Sequence, residues 1–341
     1  MMHLRRVNGS TPAAPRGPVL SVRDLNVAFH TRHAPLVALD GISFDVAPGE
    51  VLGVVGESGA GKSLTGAAVI GLLEPPGHIA GGEVRLNGQR IDNLPAEAMR
   101  RLRGRHIAMV FQDPLTSLNP LYSVGAQLVE TIRAHTTLSE VEARERAIAL
   151  LGEVEIQDPR QRLASYPHEF SGGMRQRVVL ALALCAEPAL LIADEPTTAL
   201  DVSVQAQIIA LLKRLCRERA TSVLLITHDM GVIAEAADRV AVMYAGRIVE
   251  IGPAREVLQN PQHPYTQGLM GAIPSLWSGR DRLVQIPGAM PSLAAIPSGC
   301  AFHPRCPRAF ERCHIARPEP RRIGASQAAC WLLCEEAEAR A

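Results

Sequence analysis

EVLGVVGESGAGKSLTGAAVIGLL, Glu50 to Leu73, places an apolar run on each side of a glycine-rich turn. The run before Gly56 predicts a buried strand, and the run after Ser63 predicts a helix. Between them Gly56, Glu57, Ser58, Gly59, Ala60, Gly61, Lys62 and Ser63 keep the spacing G-x-x-x-x-G-K-S. The glycines let the backbone wrap phosphate groups with its N–H donors, and the following helix turns its positive end toward them. Lys62 is placed to neutralise the β and γ phosphates, and Ser63 to ligate Mg²⁺. Only two lysines, Lys62 and Lys213, stand among 35 basic residues, so a lysine at this point is no product of composition. The stretch predicts an α/β core that binds a nucleotide.

Such a loop alone does not separate phosphotransferases, GTPases, helicases and transport ATPases, so the rest of the chain must. ALLIADEP, Ala189 to Pro196, is an apolar strand ending in two carboxylates. Asp194 is placed to hold Mg²⁺ through water, and Glu195 to polarise an attacking water. Upstream lies EFSGGMRQR, Glu169 to Arg177, ahead of a long apolar helix. Ser171, Gly172 and Gly173 at a helix start offer free N–H groups and a helix dipole to an anion. Ser-Gly caps many helices, so the weight of this motif comes from its position.

The order of these motifs resembles that of the ATP-binding subunits of ABC transporters. Gly56 to Ser63 matches the Walker A loop, Gln112 the Q-loop glutamine, and Ser171-Gly172-Gly173-Met174 the signature, with Met174 where glutamine is usual. Ile192 to Glu195 matches the Walker B strand, Ala199-Leu200-Asp201 the D-loop, and His228 in LLITHDM the switch histidine. The resemblance implies two such domains closing face to face, each ATP lying between the Walker A loop of one and the signature of the other. It makes Glu195 the general base, brings His228 to the γ-phosphate, and gives Gln112 a place between the nucleotide, its Mg²⁺ and the transmembrane subunits. A P-loop phosphotransferase is opposed by the signature and by His228.

Longer stretches narrow the resemblance to the oligopeptide/dipeptide importer branch, which includes nickel importers. They are FQDPLTSLNP (Phe111 to Pro120), YPHEFSGGMRQRV (Tyr166 to Val178), ADEPTTALDVSVQAQI (Ala193 to Ile208) and HPYTQGLMGAIP (His263 to Pro274). The implied partners are two permease subunits, a second ABC ATPase, identical or related, and a solute-binding protein. The glutamine, the proline-rich turn and the helix YSVGAQLVETIRAH would meet the permease. The alternatives are an importer of nickel or another small solute, and a soluble ABC ATPase acting on nucleic acid or ribosomes. Soluble members generally join two ATPase domains in one chain, whereas this one has a single Walker A loop and a single signature. A net charge of +1 and the lack of a basic stripe give no argument for a nucleic-acid partner.

At 341 residues, with 47% hydrophobic and 20% charged residues, the chain suits a globular core with an appendage. Residues 1–17 read as a disordered tail and not as a signal peptide, because no apolar segment follows the basic residues. The longest apolar run, from Val178, breaks at Glu187-Pro188, short of the roughly 18 residues a membrane span needs. The expected location is therefore the cytoplasmic face of the membrane, held there through partners. Residues 18–258 are expected to form the ATPase domain: a P-loop NTPase core of the ABC type, an antiparallel β subdomain and a helical subdomain over about 113–184. Strand and helix then alternate from 189 to 251, which argues a parallel sheet. Phe29 and His33 are both candidates to stack on adenine. Residues 259–341 are proline-dense and read as a loop-rich extension.

That extension holds five of the seven cysteines. Cys185 and Cys216 lie in apolar helices and read as core. A disulfide scaffold is unsuited to a reducing cytosol, and gaps of x₅, x₆ and x₁₆ lack the close pairs that zinc favours. Unevenly spaced thiolates on loops suit an iron–sulfur cluster, although zinc and unliganded thiols stay open. Peptide-importer ATPases carry a similar CxFxxRCP pattern with two further cysteines. By that resemblance Cys300, Cys306, Cys313 and Cys330 are candidate ligands of a [4Fe–4S] cluster, with Cys334 left over.

Overall fold

The computed structural model describes residues 17–32, 34–198, 200–272 and 285–334. Of the tail expected over 1–17 only Gly17 falls within them, and His33 and Ala199 lie outside. Strands β1 (Leu20–Phe29), β2 (Leu36–Val46) and β3 (Val51–Val55) lead into helix α1 (Lys62–Val69). There follow β4 (Gly77–Leu86), β5 (Gln89–Arg90), α2 (Ala96–Leu102) and β6 (Ile107–Val110). Helices α3 (Pro114–Ser117), α4 (Val124–His135), α5 (Glu140–Glu153), α6 (Pro159–Arg162) and α7 (Gly172–Leu184) come next. The chain returns through β7 (Leu190–Asp194), α8 (Val202–Arg219), β8 (Ser222–Ile226), α9 (Met230–Ala236), β9 (Arg239–Tyr244) and β10 (Arg247–Pro253). Helices α10 (Ala254–Gln259), α11 (Pro264–Gly271) and α12 (Glu311–Ile315) and strands β11 (Arg321–Ile323) and β12 (Ser326–Ala328) complete it.

Two sheets organise these elements. One is antiparallel, in the order β2-β1-β4-β5; the other runs β11-β12-β10-β9-β3-β8-β7-β6. Within the larger sheet β6, β7, β8, β3 and β9 pair in parallel. Every residue of β3, β7 and β8 is buried, which is why VLGVV, LLIAD and SVLLI are unbroken apolar runs instead of alternating ones. Parallel strands require crossovers, and α8 and α9 supply those that return β7 to β8 and β8 to β9. The expected α/β P-loop core with an antiparallel sheet beside it and a helical layer is what the chain forms.

Local chemistry starts the helices where the sequence punctuates them. Ser139 and Glu142 form a reciprocal capping box at α5. Ser171 accepts from the Met174 N–H at α7, Asp201 from the Val204 N–H at α8, and Asp229 from the Gly231 and Val232 N–H groups at α9. One buried cluster runs from the helical layer (Leu128, Ile132, Leu150, Leu151) through α7 to the parallel sheet; a second fills the space between the antiparallel sheet and α1.

The extension is fastened to the core by backbone and by side chains. Strand β12 pairs with β10, Glu250 opposite Ala328, so the hairpin β11–β12 lengthens the main sheet. Tyr244 at the end of β9 packs edge-on to Tyr265 of α11, with ring centroids 4.7 Å apart, and to Phe302, at 5.2 Å. Among the described residues, no helix is long and apolar enough to cross a membrane.

Candidate nucleotide site

The loop from Gly56 to Ser63 leaves the end of β3 and enters α1. A side chain at Gly56 would lie 2.3 Å from the Met243 carbonyl oxygen, and Gly61 caps α1 at φ 101°, a conformation that glycine adopts freely. The Lys62 ammonium donates to the carbonyl oxygens of Gly56 (2.9 Å) and Glu57 (3.1 Å), so it is folded back over its own loop. Burial lowers its pKa, opposed by the charges of Glu195, Asp194 and Glu57.

Strand β7 delivers the two carboxylates, and they take different partners. Asp194 is buried and accepts from the Ser63 hydroxyl at 3.0 Å; burial raises its pKa despite that bond. A hydroxyl and a carboxylate side by side are hard oxygen donors of the kind Mg²⁺ takes. Glu195 is the hub of a second group. Its carboxylate accepts from Gln112 Nε2 (3.0 Å) and Thr198 Oγ1 (2.9 Å), and lies 3.1 Å from Nδ1 of His228. Burial works to raise the Glu195 pKa, but the bonds to His228 and Thr198 and the charge of Lys62 outweigh it and leave the group ionised more readily than usual. Its backbone sits at φ 46°, a left-handed conformation that costs a glutamate energy and is held by the Glu195 N–H bond to the Ile226 carbonyl.

Gln112, Asp194, Glu195, His228, Lys62 and Ser63, taken from four separate stretches of sequence, thus meet at one end of the parallel strands. Ser171, Gly172 and Gly173 do not join them. They open α7, where Gly172 lies against Leu200 and Gly173 against Val204 of α8. Asp201 is spent on Val204 and Ser203. Among the described residues, no hydrogen bond or ion pair links these four to the Gly56–Ser63 loop. Phe29 packs its ring on Gly77 and the second core cluster.

Sequence reasoning missed three residues of this site. Thr198, in the TT that follows Asp194-Glu195-Pro196, braces Glu195. Tyr265 and Arg305 reach the loop from the extension: the Glu57 N–H donates to the Tyr265 hydroxyl at 2.8 Å, and the Arg305 guanidinium grips the Glu57 carboxylate at 2.6 and 2.9 Å. Both lie inside quoted motifs, HPYTQ and CxFxxRCP, which marked a family branch but suggested no contact with the loop.

Cys300, Cys306, Cys313 and Cys330 all line one small cavity beside His263 and Phe302. Burial raises the pKa of Cys300, Cys306 and Cys330, the last to about 12, and neighbouring sulfurs push each of the three further the same way. Among the described residues, no three histidine, cysteine or acidic side chains converge closely enough to hold one metal ion.

Comparison with known proteins agrees with the geometry. Residues 39–198 match the ABC transporter family, and residues 249–313 match the oligopeptide/dipeptide transporter C-terminal region. The chain is 49% identical to the oligopeptide transport ATP-binding protein OppD of Salmonella typhimurium over 322 residues, covering 94% of this chain and 96% of that one. It is 45% identical to the dipeptide transport ATP-binding protein DppD of Haemophilus influenzae, covering 93% and 96%. Among solved structures, it is similar to an ATP-binding cassette captured as a dimer in a post-hydrolysis state with ADP and phosphate (TM-score 0.62, 26% identity, 69% of this chain and 99% of that one). It is also similar to cbiO1 of Clostridium perfringens, part of an ABC transporter complex (TM-score 0.63, 29% identity, 72% and 92%). On sequence, fold and the meeting of Lys62, Asp194, Glu195 and His228 at one end of the parallel strands, this chain belongs to the ABC transporter ATPases, in the group that carries the oligopeptide/dipeptide transporter C-terminal region.

Proposed function

We propose that the chain hydrolyses ATP to ADP and phosphate to power the import of di- and oligopeptides from the cytoplasmic face of the membrane. It acts with a second ABC ATPase beneath two permease subunits, and a solute-binding protein delivers the cargo. The observation that carries this reading is the six-residue convergence around Glu195, joined to a C-terminal region of the peptide-transporter type.

The roles follow from position. The N–H groups of the Gly56–Ser63 loop and Lys62 bind the phosphates; Lys62 exchanges its bonds to the Gly56 and Glu57 carbonyls for the ligand. Ser63 and Asp194, with Gln112 close by, are the residues that would hold Mg²⁺, which when bound draws charge from the phosphate oxygens. Glu195 takes the proton of the attacking water, while Gln112, Thr198 and His228 orient its carboxylate. His228 then has the γ-phosphate within reach of its ring. Ser171, Gly172, Gly173 and Asp201, which stand at the starts of α7 and α8 away from their own loop, serve the nucleotide of the paired subunit.

The permease face is the helical layer. Leu121, Tyr122 and Phe111 are exposed there at 80%, 57% and 48%, a group of large apolar side chains that solvent does not favour. The same layer carries a groove lined by Val129, Glu130, Arg133, Arg144 and Tyr166. For the cysteines, we take Cys300, Cys306, Cys313 and Cys330 as ligands of a [4Fe–4S] cluster. What supports this reading is that all four thiols line one cavity.

Purification of the tagged chain from its native membrane tests the transport reading. Two permease chains and a second ATPase should accompany it, and ATP turnover in proteoliposomes should rise when peptide and the solute-binding protein are added. Recovery with ribosomal or nucleic-acid-binding partners and no permease would sink it.

A further inference from the structure

Glu57 is an awkward residue for a loop built to receive polyphosphate, because it sets a carboxylate beside the incoming negative charge. The extension answers this with Arg305. Its side chain is only 6% exposed, and its guanidinium makes a two-bonded pair with Glu57 at 2.6 and 2.9 Å. The remaining donors are engaged as well: Nε bonds the Pro287 carbonyl (2.8 Å), the other nitrogens approach the Ile286 carbonyl and the Tyr244 hydroxyl, and the group lies over the Tyr244 ring. An arginine this fully committed has one geometry available to it. The Glu57 N–H is held by Tyr265, and the Glu57 carbonyl accepts from Lys62, so side chain, N–H and carbonyl of one loop residue are each pinned.

We propose that Arg305 is a positioning residue of the ATP site: it neutralises Glu57 and holds that carboxylate against the extension, so that the Walker A loop accepts ATP without a competing negative charge. The C-terminal extension is then part of the nucleotide-binding machinery and not an appendage to it. The inference rests on Gly56–Ser63 being the ATP loop, and its test separates the two. Arg305 touches neither Glu195 nor its partners, so its loss should act on affinity and spare the chemical step.

The test is steady-state ATP hydrolysis by the full chain. Arg305→Ala should raise KM for ATP about tenfold, with kcat within about twofold of the parent. Glu57→Gln, which removes the charge itself and leaves the Arg305 charge unbalanced beside the loop, should lower KM about twofold. The double variant should recover most of the loss, although it lacks the ion pair altogether. A purely structural tie predicts the reverse, with Glu57→Gln as harmful as Arg305→Ala and the double variant no better. Either that pattern, or an Arg305→Ala defect confined to kcat, overturns the proposal. Should Arg305→Ala fold poorly, Arg305→Lys, which keeps the charge but not the fork, carries the same test: KM between the parent and ten times the parent supports it, and loss of turnover with KM unchanged overturns it. Lys62→Ala stands as the control on the site: ATP affinity unaffected by that change would remove the Walker A reading and this inference together, whereas weakened affinity beside an unaffected Arg305→Ala overturns the inference alone.

Discussion

In the proposed mechanism Glu195 concentrates the chemistry in one side chain. It is held in a left-handed backbone conformation and braced by Gln112, Thr198 and His228 on the two oxygens of its carboxylate. A base whose pKa is kept below its ordinary value is ionised at neutral pH, ready to accept a proton but weak in drawing one, so orientation must supply much of its effect. Glu195→Gln keeps the shape and most of the hydrogen bonding while removing the base. ATP binding, measured with a fluorescent analogue, should stay within about threefold of the parent, and kcat should fall by about 10² to 10⁴. Normal turnover in that variant would remove Glu195 as the base. Walker A and Walker B residues were legible one by one because their spacing reflects backbone chemistry. Thr198 was not, since a threonine after a strand-end acid pair has no pattern of its own.

Helix α11 shows what an element adds. His263 caps it by accepting the Tyr265 N–H, gives its own N–H to the buried Glu250, and lies near the Phe302 ring and the cysteine cavity. Burial lowers the His263 pKa from 6.5 to about 3, so the folded chain holds this ring neutral while an unfolded chain would protonate it. The unfolded state then binds more protons between those two values, and stability must fall as pH drops through the window, by about 1.4 kcal/mol per unit from this group. Above pH 6.5 the group contributes no such dependence. Glu250 works in the opposite sense because burial raises its pKa, so the histidine is best isolated by substitution. His263→Asn keeps a capping side chain and should flatten the acid side of the stability curve in urea unfolding followed by tryptophan fluorescence. An unchanged acid slope would show that His263 is not buried as drawn. HPYT was readable as a motif, but nothing in it announced a neutral buried histidine, because burial here is supplied by Phe302 of the extension and by Glu250 on β10.

At the scale of the whole molecule, the extension both touches the Gly56–Ser63 loop and gathers four cysteines, the two features meeting where Arg305 and Cys306 stand adjacent in the chain. Protein purified without oxygen should show a broad visible absorbance, with about four irons per chain by metal analysis, if Cys300, Cys306, Cys313 and Cys330 carry a cluster. Cys306→Ser should bleach it, whereas Cys334→Ser should not; a colourless, iron-free parent would leave the four as plain thiols. The α/β class, the antiparallel sheet, the phosphate loop and the Walker B pair were determined by sequence alone. Each depends on contacts within a few residues: unbroken apolar runs, glycine where the backbone turns sharply, a carboxylate at a strand end. What only the tertiary structure decided was which distant residues share a space. Gln112 and His228 meet on Glu195 because β6, β7 and β8 lie side by side, and Arg305 reaches Glu57 across 248 positions because hairpin β11–β12 and the Tyr244–Tyr265–Phe302 cluster fold the extension back onto the core. Contacts of that range come from the packing of elements, which no local pattern of residues encodes.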